Sequence, residues 1–262
     1  MPQPNPVAFT VFNIEIMWYA ICVTLGIILA VIFVCLRAGR HGLTQDQLLN
    51  FIIISVPCGI IGARAYYVIF NWDWYAGDIG RILNVRAGGL AVHGGLILGI
   101  GVGLLLCFLW RVRPLNLLDL CAPAIALAQS VGRWGNYFNS EAHGGPTDLP
   151  WGVWINGQTY HPTFLYESIW CFLLFLFLFY MDNHRKFEGQ IILLYGILYS
   201  LERFCVEALR TDSLMLGPLK QAQVISLVII AVCAVLYVIL NRRAGKNGSN
   251  KKGRKRIKQT QK

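Results

Sequence analysis

Seven apolar runs, each near the length that crosses a bilayer, dominate this chain and constrain its solvent before its fold. They are Ile16–Leu36, Leu48–Phe70, Leu90–Trp110, Leu115–Gly132, Thr163–Met181, Gln190–Leu209 and Ala222–Leu240. A helix rising 1.5 Å per residue needs about 20 residues to span the hydrocarbon core. Of the 262 residues 56% are hydrophobic and 14% charged, where a soluble domain carries about 25% charged. One water-soluble core of this length could not hide so much apolar surface, so lipid is the natural solvent. The expected class is all-α, a polytopic integral membrane protein with about seven transmembrane helices. Residues 1–240 form one transmembrane domain, and 241–262 a basic, disordered tail.

Orientation follows from where the cations lie. Arg37–Asp46, Arg111–Pro114, Asp182–Glu188 and Asn241–Lys262 together hold sixteen Lys and Arg, and the alternate connections five. The positive-inside rule puts the first set in the cytoplasm, with the N-terminus outside and the C-terminus inside. Met1–Glu15 has no Lys or Arg, unlike the start of a cleavable signal peptide, so the first run reads as a retained helix. The net charge of +10 comes largely from the tail, which holds ten of the 23 Lys and Arg. A basic tail behind an apolar helix reads as an anchor near anionic lipid. No nucleic-acid-binding motif accompanies it.

The eight cysteines sit in apolar stretches without a CxxC pair, which suits small buried hydrophobes and gives no disulfide or zinc signal. No HExxH, P-loop or nucleotide fingerprint is present, so neither metal nor cofactor is expected. Gly95, Gly99 and Gly103 recur every four residues and leave a groove for a neighbouring helix.

Ionisable groups inside a membrane are costly and need a reason. Here they gather at one depth. Tyr19, Arg64, His93, Arg133, Asn136, Tyr166, Glu167, Tyr199, Arg203 and Glu207 fall within two or three helical turns of the expected outer face. The inner halves of the same runs are nearly all apolar. Matched depth on several helices implies a partly wet cavity, or else a set of hydrogen bonds that glue helices. Arg64, Arg133 and Arg203 point to an anion, because guanidinium stays charged and grips phosphate in a fork. Glu141 and Glu207 are the expected nearby carboxylates, and Tyr199, Arg203, Glu207 and Arg210 share one helical face. His93 suits a general base; it could equally bond a backbone carbonyl.

At these residues the chain resembles the prolipoprotein diacylglyceryl transferases. The stretch Gly132-Arg133-Trp134-Gly135-Asn136-Tyr137-Phe138-Asn139-Ser140-Glu141-Ala142-His143-Gly144 is similar to the family signature, with Tyr137 in place of the usual Phe. His93-Gly94-Gly95-Leu96 resembles its H-G-G-L element, and His161-Pro162-Thr163-Phe164-Leu165-Tyr166-Glu167 its H-P-T-x-L-Y-E stretch. Arg203-Phe204-Cys205-Val206-Glu207, with Arg210 and Asp212 following, resembles a fourth element, and Ser200 stands where many members have Gly. The elements come in family order and cover most of the chain from Trp18 to Leu240.

The resemblance implies transfer of sn-1,2-diacylglyceryl from phosphatidylglycerol to the lipobox cysteine thiol of a prolipoprotein, with release of glycerol-1-phosphate, at the outer leaflet of the bacterial cell membrane. It makes Tyr19, His93, Arg133, Asn136, Gly144 and Arg203 important, with Glu141, Tyr199, Glu207 and Arg210 in support. The nucleophilic thiol belongs to the substrate, which agrees with cysteines that look inert. Arg133 and Arg203 would hold the phosphate as it gains charge, and His93 would take the thiol proton, though a guanidinium could stabilise a thiolate instead. Asn136 and Glu141 would order a loop over the site, and Gly144 would make a turn closed to larger residues. Two other readings are an anion transporter, which should show inverted repeats and a polar path to both faces, and a lipid-binding scaffold, which would need the arginines but not His93.

Overall fold

The computed structural model of the protein describes residues 1–2, 4–85, 88–210, 215–216 and 219–260. Asp212, in the fourth motif, lies outside the described residues. The chain divides into two compact units, one of Met1–Val34 with Leu118–Lys262 and one of Cys35–Leu117.

Nine helices are assigned among the described residues: α1 (Trp18–Arg37), α2 (Gln45–Phe70), α3 (Trp72–Tyr75), α4 (Ile79–Leu83), α5 (Val92–Leu109), α6 (Pro114–Phe138), α7 (Thr163–Asn183), α8 (Gln190–Leu209) and α9 (Gln221–Thr260). Each of the seven expected runs falls on a long helix. Six of these are long and apolar enough to cross a membrane, and the chain is a multi-pass membrane protein; α8 is not among the six. Its second half carries Glu202, Arg203 and Glu207, three charged residues within six positions, which lower its apolar character. α9 continues past the apolar stretch into the basic segment for which the sequence suggested disorder.

The all-α expectation is corrected in one respect. Among the described residues three short antiparallel strand pairs accompany the helices, one ahead of α1 and two between helices: β1 (Val7–Val11) with β2 (Ile14–Met17), β3 (Val153–Ile155) with β4 (Gln158–Tyr160), and β5 (Met215–Leu216) with β6 (Leu219–Lys220). The β3–β4 turn is Asn156-Gly157, at φ of 49° and 90°, the left-handed geometry that matches the twist of paired strands. Phe12 and Asn13 take the same region in the β1–β2 turn, at 47° and 59°.

In the Cys35–Leu117 unit, α2 starts from a capping box. The Thr44 hydroxyl accepts from the Gln47 N–H at 3.1 Å, and Gln47 accepts in return from the Thr44 N–H at 3.0 Å. α2 and α5 then pack through glycine. A Cβ on Gly95 would stand 3.3 Å from the Gly59 carbonyl oxygen, one on Gly99 3.6 Å from the Gly59 Cα, and one on Gly103 3.8 Å from the Ser55 hydroxyl. The every-fourth-residue stripe is therefore a helix-packing face, as expected, and Gly62 and Gly94 approach still closer beside it.

In the other unit, α6 organises the start of α8. Asp119 on α6 is fully buried. Its carboxylate accepts from the backbone N–H groups of Gly189 (2.7 Å), Ile191 (2.9 Å) and Ile192 (3.0 Å), and pairs with Arg185 at 3.1 Å. The first N–H groups of a helix lack internal partners, and the N-cap of α8 is Gly189, with no side chain to offer. A carboxylate from another helix fills that need. Below it, Ala122, Ala126, Leu174, Leu178 and Ile191 form a closed apolar cluster from α6, α7 and α8.

Candidate active site

At the other end of α8 the same three helices bring charged groups together. Arg133 sits near the end of α6, Glu167 in the second turn of α7, and Arg203 and Glu207 in the last turns of α8. Glu167 is 1% exposed and bridges the two arginines. Arg133 Nη1 lies 3.0 Å from its Oε2, and Arg203 Nη1 lies 2.9 Å from its Oε1. Arg203 Nη2 then reaches Glu207 Oε2 at 2.9 Å, one turn along α8, and Arg133 Nη2 donates to the Tyr199 hydroxyl at 3.5 Å. The Arg133 and Arg203 side chains remain 20% and 24% exposed. They are anchored by carboxylates on one side and open on the other. Tyr199 is held in turn by stacking on Tyr195, with ring centroids 5.4 Å apart.

The bridging carboxylate is not one of the two expected. Glu207 is in place, but Glu141 belongs to the loop after α6, where it accepts from Asn136 Nδ2 at 2.9 Å and from Asn139 Nδ2 at 3.4 Å. That bond ties Asn136 and Glu141 into one turn. Glu167 was visible in the sequence at the right depth, near the start of an apolar helix; depth alone did not say that it faces both arginines.

Gly144 does a different job from the turn expected of it. A Cβ there would stand 2.7 Å from His161 Cβ and 3.1 Å from the Leu209 carbonyl oxygen. Its N–H donates to the His161 carbonyl at 2.9 Å, and the next N–H, of Gly145, to the Leu209 carbonyl at 2.9 Å. Gly144 pairs with Arg210 in an isolated bridge. Close approach, not a left-handed turn, excludes a side chain here. The left-handed residues are Ser140 and Ala142, at 53° and 54°, and the Ala142 carbonyl receives the Thr163 hydroxyl. Arg210 is the C-cap of α8. A lysine that sequence reasoning passed over completes this end: Lys220 Nζ donates to the carbonyls of Glu207 (2.6 Å), Ala208 (3.4 Å) and Arg210. A cation at a helix C-terminus satisfies carbonyls left over there and complements the dipole.

Tyr19, in the first turn of α1, lies against Gly135 of the signature stretch. Between α1, α6 and α7 is an apolar cavity of about 620 Å³, lined by Trp18, Leu25, Trp134, Phe138 and Phe172 among others. The Trp134 indole donates to Ser168 at 3.1 Å, and Ser168 to the Ser130 carbonyl at 2.7 Å. Trp134 and Ser168 are the sequence neighbours of Arg133 and Glu167.

Two expected site residues belong to the Cys35–Leu117 unit. Arg64, expected to meet phosphate, is instead spent on backbone. It is 7% exposed. Its Nε donates to the Ile82 carbonyl (2.8 Å), Nη1 to Gly88 (2.7 Å) and Gly89 (2.8 Å), and Nη2 to Arg81 (2.6 Å) and Asn84 (3.2 Å). All five N–H donors of a guanidinium hold the connection between α2 and α5. His93 is exposed in the first turn of α5, with its ring 6.3 Å from that of Tyr66.

The class is therefore a multi-pass helical membrane protein with a half-buried, carboxylate-braced arginine pair and an apolar cavity on the same helices, α6 and α7. The chain belongs to the prolipoprotein diacylglyceryl transferase family, whose model matches residues 6–239. It is 48% identical over 241 residues to the phosphatidylglycerol–prolipoprotein diacylglyceryl transferase of Clostridioides difficile strain 630, covering 92% of this chain and 97% of the relative. The enzyme of the same name from Finegoldia magna is 46% identical over 233 residues, covering 88% and 94%. That of Clostridium novyi is 46% identical over 247 residues, covering 90% and 96%.

Proposed function

We propose that this chain transfers the diacylglyceryl group of phosphatidylglycerol to the lipobox cysteine thiol of a prolipoprotein, releasing glycerol-1-phosphate. The observation that carries the reading is the Arg133–Glu167–Arg203 bridge. Two cations fixed by one buried carboxylate have their forks set before any anion arrives. As the carbon–oxygen bond of the lipid breaks, charge builds on the phosphate, and cations already in place stabilise it without reorganisation. The thiol must lose its proton to attack; His93, exposed at the start of α5, takes it directly or through water. Tyr19, Asn136, Glu141 and Gly144 shape the wall and the loop, Tyr199 and Glu207 orient the arginines, and Arg210 closes the rim. The cavity beside Trp134 takes an acyl chain.

In this reading α8 is a seventh span, with the N-terminus outside and the C-terminus in the cytoplasm. The asymmetry of sixteen against five cations across the two sets of connections supports it. The arginines then open toward the outer leaflet of the bacterial cell membrane, where lipid and lipobox peptide enter sideways. Residues 1–240 work as the catalytic domain, and the basic 241–262 contacts anionic head groups.

The purified protein, incubated with labelled phosphatidylglycerol and a lipobox peptide, should yield a peptide carrying a thioether-linked diacylglyceryl group. Unmodified peptide under conditions where the protein is folded and lipid-bound would end this reading. Uptake of an anion into vesicles without peptide modification would favour a transporter.

A further inference from the structure

The end of α8 carries both Arg203 and Glu207, so whatever fixes that turn fixes the aim of the arginine. The last four carbonyls of a helix find no partner inside it. Here the Leu209 carbonyl takes the Gly145 N–H at 2.9 Å, and Lys220 reaches carbonyls on either side of it. Its Nζ donates to Glu207 at 2.6 Å, to Ala208 at 3.4 Å and to Arg210. An ammonium has three N–H donors, and each has an acceptor here. Lys220 lies outside all four motif stretches and stands directly before α9. Its own N–H donates to Gln223 Oε1 at 3.2 Å, the return arm of a capping box, and Gln223 Nε2 donates to the Phe204 carbonyl at 3.3 Å. Two side chains, one charged and one neutral, thus tie the start of α9 to the end of α8.

Glu207 is gripped at both ends. Its carbonyl meets Lys220, and its carboxylate meets Arg203 Nη2 at 2.9 Å. The unpaired carbonyls of a helix C-terminus also act as about half a negative charge. Left bare within a turn or two of Arg203, that charge would draw the guanidinium along the helix and oppose an incoming phosphate. The Lys220 ammonium sits on these carbonyls and offsets it. We propose that Lys220 is a further positioning residue of the transfer site: it holds the last turn of α8 and neutralises its carbonyls, so that Arg203 stays aimed at an anionic lipid head group. It acts through Glu207 and Arg203 and touches no reacting atom. The inference rests on the reading that Arg203 holds the lipid phosphate.

The test uses the full chain in lipid nanodiscs, with transfer assayed at saturating lipobox peptide and unfolding followed on the same samples. Lys220→Met should raise KM for phosphatidylglycerol about 10-fold, the scale of a partly buried charge at a helix C-terminus, with kcat changing less. Lys220→Gln keeps a donor for the carbonyls but no charge. It should unfold at a higher temperature than Lys220→Met and show the same rise in KM, which gives the reading should Lys220→Met not fold. Lys220→Arg should bring KM back to within about threefold of the unaltered protein. Gln223→Leu removes the neutral tie and should lower the unfolding midpoint with KM changed less than about threefold. A role confined to holding the fold would move the midpoint and leave KM alone, so an unchanged KM in the neutral Lys220 variants overturns the proposal. An equal rise of KM in Gln223→Leu, or no recovery in Lys220→Arg, overturns it as well. Arg203→Ala tests the phosphate reading itself. If it transfers with an unchanged KM, Arg203 does not hold the phosphate and the role of Lys220 falls with it. If it raises KM or abolishes transfer while the Lys220 variants stay normal, the role of Lys220 alone fails.

Discussion

The two ends of α8 both rest on a buried carboxylate from another helix, and they use it in opposite ways. At the first turn, Asp119 is saturated: three backbone N–H groups and the Arg185 guanidinium take up its oxygens. At the last turns, Glu167 is shared between two guanidiniums and makes no bond to backbone N–H, and the carboxyl oxygens of Glu202 have no hydrogen-bond partner. A carboxylate taken up by three backbone N–H groups and one cation can do little except hold a helix. One whose partners are cations with donors to spare can share those cations with a ligand. Burial by itself therefore does not separate scaffold from site; how completely the partners are used up does. Arg64 makes the same point from the cation's side, being buried and charged yet fully consumed by carbonyls.

This contrast can be broken in order of expected effect. Arg133→Ala should lower diacylglyceryl transfer by about 10³-fold, the scale seen when one charge-stabilising donor is removed, while the thermal unfolding midpoint in detergent falls less than in Asp119→Ala, because Arg203 still pairs with Glu167. A small loss of rate, or a protein that no longer folds, would put Arg133 on the scaffold side. Asp119→Ala should do the reverse. Leaving three N–H groups and Arg185 without their acceptor should cost about 3 kcal/mol of stability, read as a lowered unfolding midpoint, with near-normal turnover in the fraction that stays folded. A turnover loss as large as that of Arg133→Ala would erase the distinction. Arg64→Lys should sharpen it. A lysine has three donors where the guanidinium has five, so residues 81–85 and 88–89 should exchange their amide hydrogens faster, with KM for the lipid changed less than about threefold. A large KM effect would return Arg64 to the phosphate.

Hydropathy located the helices well because it measures contact with lipid, and it failed where helix and lipid contact part company. α6 was expected to stop at Gly132 and runs on to Phe138, since Arg133 and Asn136 end the apolar run without ending the helix. The Asn156-Gly157 turn was written in the sequence as a hairpin signal and went unread amid a long polar loop. The Phe12-Asn13 turn carries no such mark. At the site, matched depth along the helices was enough to bring out Arg133, Tyr199, Arg203 and Glu207. Depth says nothing about direction around a helix axis. That is why Glu167 was noticed without being assigned, and why Arg64, at the correct level, was given a phosphate in place of the carbonyls of Arg81, Ile82, Asn84, Gly88 and Gly89.

The pairing of Gly144 and Gly145 with the His161 and Leu209 carbonyls has a mechanical result. The signature segment is stitched at once to the chain entering α7 and the chain leaving α8, so it forms a fixed rim and not a flap. Lifting it would strip the last turn of α8 of an N–H partner and disturb the frame that carries Arg203. Whatever moves during a catalytic cycle has to be hinged elsewhere.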